Sequence, residues 1–87
     1  MCRSFIVTGR VQGVFFRASA RDFAESLHLR GHAINMPDGS VEVRACGRAQ
    51  DIDRLARWLH EGPRHASVEN VESVIVSCTK PVGFATG

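Results

Sequence analysis

Two helices laid on one face of a four-stranded antiparallel sheet, an α+β sandwich of order βαββαβ, is the fold that the sequence predicts. Three observations carry it. Apolar residues alternate with polar ones in short runs near residues 3–8, 40–46 and 68–78, which is the period of a half-buried strand. Through residues 16–27 and 52–59 they recur instead at helical spacing. Glycine or proline stands at most of the changes of period. With 87 residues, all of residues 1–87 make one domain. A chain of that size buries roughly 60–65% of its unfolded surface and holds a single core.

The elements follow in order. In residues 3–8, Phe5 and Val7 take one face and Ser4, Ile6 and Thr8 the other, so the first strand has a core side. The stretch 9–13, with a glycine at each end, interrupts it. Phe16, Ala20, Phe23, Ala24 and Leu27 then form an apolar stripe opposite Arg21, Asp22 and Glu25, and Gly31 is expected as the C-cap of this helix. Residues 31–36 are extended in character. Pro37-Asp38-Gly39 is a turn, because proline presets φ and glycine accepts a positive one. Val41, Val43 and Ala45 alternate with Glu42, Arg44 and Cys46, which completes a hairpin. Gly47 breaks that strand. Ile52, Leu55, Ala56 and Leu59 define a second helix, with Asp51 and Asp53 expected in its first turn, where the helix dipole favours anions. Gly62-Pro63 stops it, and a last strand is expected with Val74, Val76 and Cys78 on its core side. Strand, helix, strand, strand, helix, strand with two crossovers long enough to be right-handed is the ferredoxin-like arrangement.

Composition bounds the function classes. Eleven Lys plus Arg against nine Asp plus Glu leave a net charge of +2, too small to mark a nucleic-acid protein. Ten of the eleven cations are arginine, a bias toward bidentate recognition of oxyanions. The apolar runs are too short for a membrane span, and residues 1–9 hold no signal-peptide h-region. Cys2, Cys46 and Cys78 lack CxxC spacing, which speaks against a zinc site and a disulfide scaffold. A cytoplasmic chain with reduced thiols is the expectation, and neither a metal nor a cofactor is implied.

Chemistry concentrates in Gly9-Arg10-Val11-Gln12-Gly13-Val14-Phe15-Phe16-Arg17, between the first strand and the first helix. A strand-to-helix turn leaves backbone N–H groups unpaired at the positive end of a helix dipole, a place for a bound anion. Gly9 and Gly13 let the backbone curl, and Arg17 adds a two-pronged donor at its mouth. The segment is neither a Walker loop nor GxGxxG. On the residues alone, an ordinary glycine-containing turn with a solvent-facing arginine fits equally well.

The same nine residues resemble the acylphosphatase signature, G-x-V-Q-G-V-x-F-R, at every fixed position. Gly31-His32-Ala33-Ile34-Asn35-Met36-Pro37-Asp38-Gly39-Ser40-Val41 is similar to the family's G-W-V-x-N-x-x-D-G-x-V, and residues 62–68 to its G-P-x-x-A-x-V. The resemblance covers about residues 3–84. It implies hydrolysis of acyl phosphates, the mixed anhydrides of a carboxylic acid and phosphate, with inorganic phosphate as product. It further implies that Arg17 and the amides of Val11, Gln12, Gly13, Val14, Phe15 and Phe16 hold the phosphoryl group and that Asn35 positions the attacking water. No metal is needed in that scheme. The partner is a small molecule, with no nucleic acid and no membrane, and the chain is expected to be a monomer.

The sequence departs from the family's pattern at two points. His32 replaces the usual tryptophan, and is read as a sheet-face residue ahead of an acyl-group contact. Thr86 replaces an apolar residue after Phe84, so a short or frayed final strand is expected. His28, His60 and His65 have no ligand spacing and read as surface residues. Trp58 reads as a helix-packing residue, and Phe15 as part of the pocket rim. In the ferredoxin-like sheet the first and third strands are antiparallel neighbours. Cys2 and Cys46, at the start of one and the end of the other, either form a disulfide or stay free with Cys78, which is expected to be a buried thiol. Other functions stay open on this fold. They are a small-ligand or RNA-binding module, a carbamoyl-phosphate-handling relative of the hydrogenase-maturation proteins, and a catalytically idle interaction domain. The relatives that handle carbamoyl phosphate are expected in much longer chains.

Overall fold

The computed structural model describes residues 1–13, 15–77 and 83–87. Val14, Cys78 with its expected buried thiol, and Lys80 lie outside them. The chain runs β1 (Cys2–Arg10), α1 (Phe16–Ser26), β2 (Arg30–Asn35), β3 (Val41–Cys46), α2 (Ala49–Glu61), β4 (Ser67–Val76) and β5 (Phe84–Thr86). The sheet order is β4-β1-β3-β2-β5. The first four strands pair antiparallel, as the hairpin and crossover pattern requires, and the fold is ferredoxin-like.

The four-stranded expectation needs correction, because β5 adds a fifth strand parallel to β2 and the sheet is mixed. Phe84 drives this addition, since its ring is buried in the core. Backbone bonds from Gly31 N–H to the Gly83 carbonyl (3.0 Å) and from Gly87 N–H to the Ala33 carbonyl (3.1 Å) satisfy the edge of β2.

Phe5, Val7, Ala33, Val41, Val43 and Ala45 bury one face of the sheet under Phe16, Ala20 and Ala24 of α1 and Ile52, Leu55 and Leu59 of α2. Each large side chain so buried contributes about 1.5–3 kcal/mol. Ala20 and Ala24 lack bulk, which lets α1 lie close to the strands. Trp58 joins the helices as expected. Its ring centroid is 5.5 Å from that of Phe23, nearly parallel at 14°, and 5.7 Å from that of Phe16.

Three local expectations are overturned. Gly31 does not cap α1. The helix ends at Ser26, and His28 takes the left-handed position (φ 57°), with Leu29 N–H bonded to the Ala24 carbonyl and His28 N–H to that of Glu25. That is a Schellman ending with histidine in glycine's usual place. Gly31 lies within β2, opposite Ala45. In β4, pairing with β1 puts Val71 opposite Val7 and Val74 opposite Ser4. Val74 and Val76 therefore face away from the helices, and Val74 is 62% exposed, while Val68 and Val71 pack on the core. Asp51 sits in the first turn of α2, but Asp53 lies beyond it and pairs with Arg3 at 3.0 Å.

Cys2 and Cys46 face each other in the β1–β3 register and are joined by a disulfide. Of the two arrangements left open above, the structure holds the bridged one, not three free thiols.

Candidate active site

The site begins where β1 leaves the sheet. The β1–β4 register shifts between Thr8 and Gly9. A Cβ on Gly9 would lie 2.2 Å from the Ser67 carbonyl oxygen, so only glycine fits this crossing. Val11 then turns inward and is buried, its N–H donating to the Gly9 carbonyl at 3.1 Å. That amide is engaged within the segment itself. Gly13 has φ 74° and Phe15 has φ 59°, ψ 23°. Together these left-handed residues fold the segment back toward the start of α1.

Phe15 is the N-cap residue of α1, yet no side chain caps the helix and its first turn holds no acidic residue. The N–H groups of that turn and the positive end of the dipole are left to an external acceptor. Arg17, the second residue of α1, adds the charge. Val11, Gly13, Phe15, Phe16, Arg17, Ala18 and Thr86 line a cavity of about 280 Å³, in which Arg17 is the one ionisable wall among the described residues.

The C-terminal segment links Arg17 to Asn35. The main-chain oxygen of Gly87 accepts from Nη1 of Arg17 and from the Asn35 N–H (3.3 Å). Asn35 is the exposed last residue of β2 and is not among the cavity walls, but it is one shared acceptor away from Arg17. A second link comes from Gln12. Its Nε2 donates to the carbonyls of Met36 (3.0 Å) and Ser40 (2.9 Å), tying the curled segment to the turn after Asn35. Within that turn Asp38 accepts from the Ser40 hydroxyl (2.6 Å) and the Ser40 N–H (2.9 Å). These bonds, the hydroxyl's first, hold its carboxyl below the ordinary aspartate value. Chemically, the arrangement can grip a tetrahedral oxyanion with one guanidinium and a row of amides, beside a neutral amide side chain.

Over residues 3–85 the chain matches the acylphosphatase family model. It is a member of the acylphosphatase family. The acylphosphatase of Alkalilimnicola ehrlichii is 52% identical over 82 residues, spanning 94% of this chain and 92% of the relative. The acylphosphatase structure from Coxiella burnetii superposes with a TM-score of 0.95 at 42% identity, covering 99% of this chain and 90% of that one. Full-length HypF in its phosphate- and nucleotide-bound form gives a TM-score of 0.86 at 26% identity, but the match is 99% of this chain and 11% of HypF.

Within this acylphosphatase the signature residues fall into two sets. Gly13, Phe15, Phe16 and Arg17 meet at the cavity, while Gln12 bonds the carbonyls of Met36 and Ser40 in the turn that follows Asn35. His32 stands apart from both. Its Nε2 is 2.7 Å from Oε1 of Glu42 on the sheet face away from the helices. Thr86 and Gly87 were not foreseen at the site. A three-residue strand placed by parallel pairing has no alternation to read, and Phe84 was its one signal. Among the described residues no three His, Cys, Asp or Glu side chains form a metal-binding group, and no helix is long and apolar enough to cross a membrane.

Proposed function

We propose that this acylphosphatase hydrolyses acyl phosphates through Arg17, the curled segment and Asn35. Arg17 and the amides of Gln12, Gly13, Phe15 and Phe16 hold the phosphoryl oxygens, with Val14 in the same row by the family signature. Asn35 accepts a hydrogen bond from a water through its side-chain carbonyl and donates from its NH₂ to a second oxygen. The water oxygen attacks phosphorus, and the bond from phosphorus to the bridging oxygen breaks. The carboxylate departs with the electron pair, one water proton passes to solvent, and orthophosphate remains.

A carboxylate is already a good leaving group, so no strong general acid is required. What the site must supply is alignment and charge stabilisation on the phosphoryl oxygens. Arg17 can fill the neutralising role that a metal fills elsewhere. The observation that carries the reading is the main-chain oxygen of Gly87 shared by Arg17 and the Asn35 backbone, beside an uncapped α1. An RNA-binding reading is less supported, since Phe5 on the central strand is buried.

The test is hydrolysis of an aromatic acyl phosphate in EDTA, followed by loss of ultraviolet absorbance. Turnover at an undiminished rate is expected. Binding without turnover would instead point to a ligand-binding module. Every group invoked comes from one chain, which suits a monomer. The location proposed is the cytoplasm, tested by alkylating thiols in intact cells before lysis. Full alkylation of Cys2 and Cys46 is the expected result in a reducing compartment, and a pair that stays bridged in intact cells would count against that location.

A further inference from the structure

Phe15 is the most exposed large apolar side chain among the described residues, at 82%. Its backbone is also left-handed, a conformation that side chains with a Cβ rarely adopt. Both features are unfavourable in the free protein. The ring packs neither in the core nor against it, so nothing in the fold offsets them. Unrecovered strain and exposure at one residue are a mark of a ligand-contacting position.

The location says which ligand. Phe15 lines the cavity that Arg17 shares, and the remaining walls among the described residues are Val11, Gly13, Phe16, Ala18 and Thr86. None of these carries a charge to meet a charged acyl group. At about 280 Å³ the cavity is at the small end of ligand pockets. We propose that Phe15 selects the acyl group, giving preference to phosphate anhydrides of small, uncharged aromatic acids. The inference rests on the proposed function, which puts the phosphoryl end on Arg17. The acyl group then extends toward the exposed ring, where a flat aromatic group stacks and a methyl group does not.

The experiment compares kcat/KM for benzoyl phosphate and acetyl phosphate in the parent protein, Phe15→Ala and Phe15→Gly. Glycine suits the left-handed backbone, so Phe15→Gly removes the ring while keeping the loop, even where alanine disturbs it. The benzoyl-to-acetyl ratio is expected to fall about fivefold to tenfold in both variants, mainly through KM for benzoyl phosphate. An unchanged ratio in Phe15→Gly overturns the proposal. The underlying reading fails differently: the parent would then hydrolyse neither substrate and would not be inhibited by inorganic phosphate.

Discussion

Arg17 sits where three donors of charge coincide: its own guanidinium, the uncapped amides of α1 and the helix dipole. Arg17→Ala should therefore lower kcat/KM by at least about 10²–10³-fold and abolish inhibition by inorganic phosphate. Arg17→Lys should recover little, because a point charge cannot supply two parallel donors. Asn35→Ala should lower kcat by about 10²-fold yet leave phosphate inhibition in place, since its side chain is assigned to water. Near-normal turnover in that variant would remove the role. Arg17 and Asn35 were legible because each stands in a long fixed pattern. The engaged Val11 amide and the Gly87 acceptor were not, because a signature records residue types and says nothing of which backbone group is already bonded.

The β2–β3 hairpin is the element that carries Asn35, and two side chains set its shape. Gln12 donates to two turn carbonyls, so Gln12→Ala should cost about 1–3 kcal/mol, read from the urea midpoint. Asp38 works through its charge. Its folded carboxyl lies below the unfolded value, so its contribution is complete above about pH 4 and is lost as pH falls through the folded value. The stability gap between the parent and Asp38→Asn should accordingly narrow on going from about pH 6 to about pH 3. Elements with a strong local pattern, namely both helices and this hairpin, were readable. The face of β4 was not, since alternation at Val74, Ile75 and Val76 suits either side and the register with β1 decides. His28 at the end of α1 was missed for a related reason. Glycine is the usual left-handed residue, and Gly31 stood three positions too late.

At the scale of the molecule, a 9.5 kDa chain has little stability to spare, and the Cys2–Cys46 bridge spans a separation of 44 residues. Loop-closure entropy over that span corresponds to about 4 kcal/mol, so Cys2→Ser should lower the unfolding free energy by up to about that amount. The ferredoxin-like outline was legible because element order and handedness leave few topologies. The fifth strand was not, because its pairing is set by the free edge of β2. One consequence concerns assembly from the denatured chain. β1 is first in sequence but must find β3, then β4, in mid-sheet. A crosslinked coil starts with the ends of the first pair already together, so the slow search for distant partners is shortened. Stopped-flow refolding from oxidised urea-denatured protein should outpace refolding of the same chain after reduction.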